Sequence, residues 1–309
     1  MEPATGDAER SARLRAAING RLFGYFPKSG VESERLISWL AEKQPFTKKR
    51  RERDKTLLSI EWVGDAVLSL ALTDLFLRGI NSEYLRLREP RLRPPRPPGQ
   101  HSRRRALNEV TQGLVSNSVL AKICERRGLD QLLGLRSSRT KADIMELSFG
   151  VVFLDAGFDR SFELVTDVYR ATRHRTPPWL FVPPRARSLP LNAGWAWMLG
   201  KRVLTLALRQ FAYRHLPVSA NRNLATALLG REINRQSFNP EIYNGAGPYS
   251  SENVVARYGS DFQAHDFDWC YARLEEFLAP TPAARSTLLQ GLMALPPEQE
   301  LQKERESQD

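Results

Sequence analysis

Two stretches of this chain are apolar where a helix at a protein surface would be half polar. Residues Leu57 to Leu77 run without a proline and carry apolar side chains on nearly every side. That pattern predicts a helix of about six turns buried all round, rather than one with a single buried stripe. A second apolar run, KADIMELSFGVVFLDAGF from Lys141 to Phe158, opens a helical pattern that reaches about Thr172. Helical periodicity also covers Ala106 to Arg126 and about Gly194 to Leu278, with Gly128 and Gly157 as expected stops or turns. The expected fold is all-α.

Breaks in the pattern suggest the domain plan. Residues 173–190, RHRTPPWLFVPPRARSLP, hold two Pro-Pro pairs and mixed charge, a composition that favours a linker. Arg86 to Arg105, RLREPRLRPPRPPGQHSRRR, favours an extended, solvated insertion over helix. At 309 residues the chain exceeds the needs of one ordinary core. The expected division is an N-terminal extension 1–19, a first domain 20–172 with the insertion 86–105, a linker 173–192, a second domain 193–279, and a charged tail 280–309 too poor in apolar residues to avoid fraying.

Charge and cysteine content narrow the chemistry. A formal charge of +11 points to a polyanionic partner, either nucleic acid or an anionic membrane surface. No run is long and uninterrupted enough to span a bilayer, because Glu61, Asp65 and Asp74 break the best one. Cys124 and Cys270 are too few for a disulfide framework or a four-ligand zinc site, which suits a reducing compartment. Arg10, Arg13, Arg15 and Arg21 would suit a mitochondrial presequence, whereas Glu2, Asp7 and Glu9 argue for a plain N-terminal helix. The expected compartment is mitochondrial, otherwise cytoplasmic or nuclear.

Against the apolar background, certain acids are out of place. Glu61 and Asp65 sit four apart in IEWVGDAVLSLAL, on one helix face, and Asp143 and Glu146 sit three apart on the other apolar helix. Burying a carboxylate is costly unless a cation, an arginine or a proton compensates it. Four acids from two helices would suit a hard divalent cation, Mg2+ or Mn2+, and such a centre suits phosphodiester hydrolysis. The plainer reading is four ordinary surface acids paired with arginines.

The residues around these acids resemble the ribonuclease III family. IEWVGDAVLSL at 60–70, LVSN at 114–117 and ADIMELSFGVVFLDAGF at 142–158 are similar to three of its blocks, in the same order. The resemblance covers about residues 20–170. It implies that Glu61, Asp65, Asp143 and Glu146 are both the catalytic and the metal-binding residues, that the substrate is double-stranded or structured RNA, and that products carry 5′-phosphate and 3′-hydroxyl ends. Where the family has an acid three positions before the first carboxylate, this chain has Leu58. Lys48, Lys49, Arg50 and Arg51, together with Arg103, Arg104 and Arg105, are the expected RNA contacts, through phosphates.

A repeat follows. MLGKRVLTLALRQFAYRHLP at 198–217 mirrors WVGDAVLSLALTDLFLRGIN at 62–81, NLATALLGREI at 223–233 resembles EVTQGLVSNSV at 109–119, and FDWCYARL at 267–274 resembles FDRSFELV at 158–165. In this degenerate copy the four acids are expected to correspond to Trp197, Lys201, Asn253 and Ala256. One armed and one disarmed domain would form an internal pseudo-dimer; the alternative is pairing between chains, as a homodimer or with another ribonuclease III-like protein. A different class of function is a ribonuclease III-like structural or assembly component of a mitochondrial ribosome or RNA-editing complex. No membrane partner is expected.

Overall fold

A computed structural model describes residues 4–21, 30–41, 54–80, 111–170, 193–236 and 251–296. Among these residues all regular structure is helical and there is no strand. The fold is all-α. Among the described residues no helix is long and apolar enough to cross a membrane. The chain divides into two compact units, Met1–Arg185 and Ala186–Asp309, and the boundary falls inside the Pro-rich segment 173–190.

The first unit contains α1 (Ala4–Arg21), α2 (Val31–Ala41), α3 (Lys55–Ile80), α4 (Asn117–Arg126), α5 (Leu129–Leu133) and α6 (Ser138–Arg170). Helix α3 starts where Asp54 accepts hydrogen bonds from the amides of Thr56 and Leu57, both at 3.1 Å, satisfying two of the donors a helix start leaves open. From there α3 is buried over most of its surface: Leu57, Ile60, Val63, Val67, Leu68, Leu72 and Phe76 are fully shielded, while Leu58, Glu61, Trp62, Asp65 and Ser69 are half-buried. Burial of each such side chain contributes about 1.5–3 kcal/mol. Its principal partner is α6, against which α2 and α4 also pack.

Helix α6 is two helices joined at Gly157, whose φ of 83° and ψ of 179° no side chain tolerates well. Just before this break, Asp155 accepts hydrogen bonds from the Glu32 amide at 3.0 Å and the Ser33 amide at 2.7 Å, capping α2 from another helix. Helix α1 is tied to α2 by the Arg15–Glu34 ion pair, and its Ile18 is buried.

The second unit contains α7 (Ala193–His215), α8 (Arg222–Gln236), α9 (Ser251–Ala264), α10 (Phe267–Leu278) and α11 (Pro282–Met293). The break between α9 and α10 is made by Asp266, an extended N-cap whose carboxylate accepts from the Trp269 amide at 2.7 Å. Helix α11 corrects the expectation of fraying from Pro280 onward. Thr281 caps it, accepting from Ala284 at 3.1 Å, Pro282 opens it, and Leu292 is buried. The cap supplies what apolar content does not. Asn221 then fastens the following residues by donating to the Pro296 carbonyl at 3.1 Å. The rest of the expected tail, 297–309, lies outside the described residues.

A candidate metal centre on two crossing helices

Helices α3 and α6 touch backbone to backbone. A Cβ added at Gly64 would lie 1.8 Å from the carbonyl oxygen of Glu146, and one at Gly150 would lie 2.2 Å from that of Ile60. Only hydrogen fits at either position. This contact decides where the acids go: Glu61 stands almost one turn before Gly64 on α3, and Glu146 is the residue against which Gly64 rests.

The result is a cluster of three carboxylates. Glu61, Asp143 and Glu146 each present an oxygen within 4.8 Å of the others, and among the described residues they form the group with metal-binding proximity. Asp143 is only 6% exposed, Glu61 and Glu146 are half-buried, and the Oε2 atom of Glu61 is withdrawn from solvent. Full charges at such separations repel one another by on the order of 3 kcal/mol per pair at a protein-like effective dielectric. A donor set of three carboxylate oxygens suits a hard divalent cation, which removes that repulsion. Asp65, the fourth acid expected to join, is half-buried one turn farther along α3 and falls outside the group of three.

Sequence reasoning missed Tyr169. Its ring is fully buried near the end of α6, and its hydroxyl donates to the Leu114 carbonyl at 2.8 Å. Burial, reinforced by the charge of Glu146, pushes its phenol above the usual tyrosine range, so it remains a neutral donor. Tyr169 thereby ties the LVSN segment to the end of α6. Spacing gave no hint of this, because the bond joins residues 55 apart in the chain.

The second unit repeats the crossing. A Cβ at Gly200 would lie 1.7 Å from the Val255 carbonyl oxygen, and one at Gly259 would lie 1.9 Å from that of Ala196. These contacts make Val255 the counterpart of Glu146 and Glu252 the counterpart of Asp143. The pairing with Asn253 and Ala256 expected from sequence is therefore one residue late. FDRSFELV and FDWCYARL already carry the right offset, since 267 against 158 and 259 against 150 are both 109 apart. On α7 the expected pairing fits the glycine register: Trp197 stands where Glu61 does and Lys201 where Asp65 does. The Lys201 ammonium lies over the Trp197 ring, 5.5 Å from its centre.

Lys48, Lys49, Arg50, Arg51, Arg103, Arg104 and Arg105, the expected RNA contacts, lie outside the described residues.

An all-helical unit that gathers three carboxylates on a glycine-tight helix crossing is a candidate metal centre. Comparison with known proteins supports the family that the three sequence blocks resemble. The chain is 29% identical over 212 residues to ribonuclease 3 of Streptomyces coelicolor, covering 66% of this chain and 63% of that protein. It is also 29% identical over 158 residues to ribonuclease 3 of Thermobifida fusca, covering 48% of this chain and 53% of that protein. The chain thus spans less than two thirds of the length of either relative. No protein-family profile matches it.

Proposed function

We propose that this protein is a Mg2+-dependent endoribonuclease that cleaves double-stranded or hairpin RNA during RNA processing, with its working site in the first unit. The observation that carries this reading is the meeting of Glu61, Asp143 and Glu146 within 4.8 Å on two helices, at positions matching the motifs of a ribonuclease family. These three hold the cation, and Asp65 extends the acidic face by one turn. When bound, Mg2+ supplies Lewis acidity to the scissile phosphate and makes a neighbouring water easier to deprotonate. Gly64 and Gly150 set the separation of the carboxylates by letting the helices touch. Tyr169 keeps the LVSN segment and the Glu146 helix in register.

The second unit, with Trp197, Lys201 and Val255 in place of three of the acids, is a disarmed copy that supports the first as a pseudo-dimer partner or is replaced in that role by another chain. The mitochondrion is the proposed compartment. Incubating purified protein with a labelled RNA hairpin while titrating Mg2+ tests this function. Cleavage leaving 5′-phosphate and 3′-hydroxyl ends is the expected result. Intact RNA across all Mg2+ concentrations would favour the second reading, a structural or assembly component of a mitochondrial ribosome or RNA-editing complex.

A further inference from the structure

In the second unit Glu252 keeps an acid where Asp143 stands, but on α7 both acids have given way, one to an aromatic ring and one to a cation. Trp197 replaces Glu61, and Lys201 replaces Asp65. The change extends along the helix. Helix α3 holds Glu61, Asp65 and Asp74 against Lys55 and Arg78, whereas its counterpart α7 holds Lys201, Arg202, Arg209 and Arg214 with no Asp or Glu. Random decay of an acidic site would leave neutral residues as readily as cations. A helix wholly cleared of carboxylates has become attractive to anions.

The local geometry is built for exposure rather than burial. Lys201 is exposed, Trp197 is half-buried, and the ammonium rests over the indole face at 5.5 Å. A cation over an aromatic face gains about 0.5–1 kcal/mol at an exposed site and keeps its outer hydrogens available. The lysine stem is thus held in place while the charge still faces outward. Where the first unit carries the negative charge of Asp65, the second carries the permanent positive charge of Lys201.

We propose that the Trp197–Lys201 face of the second unit is a metal-independent binding site for the phosphate backbone of duplex RNA. This proposal rests on the RNA-directed reading of the whole protein. A phosphodiester matches the chemistry: it is a diffuse anion that a point-charge ammonium recognises without reading sequence.

The test uses the full chain and a labelled RNA duplex in EDTA, with affinity measured over a range of salt. Each phosphate contact contributes about 0.9 to the slope of log affinity against log salt. Lys201→Ala is expected to lower the slope by about that amount, Lys201→Arg to restore it, and Lys201→Glu to weaken binding further. Arg273→Glu removes an exposed cation of the same unit that lies on α10 and pairs with Glu276. An unchanged slope in Lys201→Ala, or an equal loss from Arg273→Glu, overturns the assignment while leaving the RNA reading intact. Wild-type protein that fails to bind the duplex at any salt overturns both.

Discussion

The carbonyl oxygen of Glu146 occupies the space in which a side chain at Gly64 would have to begin, 1.8 Å from where its Cβ would stand. Val255 and Gly200 stand in the same relationship at 1.7 Å, so both units are built on one contact. Such approach is far closer than ordinary helix packing, in which side chains keep the axes about 8–10 Å apart.

Gly64→Ala should force α3 and α6 apart. Overpacking of this kind costs about 1–3 kcal/mol, and more where backbone must move. Urea denaturation should register that loss in the first unit, and cleavage should fall with it because Glu61 and Glu146 separate. Gly200→Ala should destabilise the second unit comparably.

Gly157 makes a different demand. Nothing lies within 4 Å of its missing side chain, so crowding is not at issue, but its φ is 83°. Gly157→Ala should therefore cost about 1–3 kcal/mol through backbone strain alone. Thermal unfolding should show a lower midpoint for Gly157→Ala, with no recovery when neighbouring side chains are trimmed.

A cation that binds the folded state raises its stability, by about 2.7 kcal/mol at a hundred times its dissociation constant. Mg2+ should accordingly raise the unfolding temperature of the wild type and leave that of Glu146→Gln or Asp143→Asn nearly unchanged. Glu252→Gln, at the counterpart of Asp143, should keep the full Mg2+ effect.

The two thiols offer a check on the cores. Burial pushes Cys124 and Cys270 up to about 12 from an ordinary 9.0, so both remain neutral at pH 8. A thiol reagent should react slowly with the native protein and quickly in denaturant. The raised values also set a sign: the unfolded chain releases these protons first, so stability should decline as pH climbs from 9.0 towards 12.

Much of the fold was legible because composition and period agreed. A proline-free run that is apolar on nearly every side reads as a largely buried helix, and acids within it stand out because burial makes them expensive. The glycine at 64 was visible only as part of a motif; its role in setting the crossing appears in three dimensions. The second copy was legible on α7, where Gly200 and the Leu-rich pattern fix the register, and slipped by one residue on α9, where SENVVAR carries no comparable landmark. Gly259 was the anchor that sequence reading passed over. Helix α11 was missed because its stability comes from a Thr281 cap and one buried leucine rather than from an apolar face. Tyr169 was illegible, since its hydrogen bond to the Leu114 carbonyl joins residues 55 apart in the chain.

The most direct test is cleavage of a labelled RNA duplex in Mg2+ by wild type, Glu146→Gln and Asp65→Ala under single-turnover conditions, with binding measured alongside. The account predicts cutting by the wild type, none by Glu146→Gln and weakened cutting by Asp65→Ala, while both variants still bind the duplex. Retained cleavage in Glu146→Gln would contradict it.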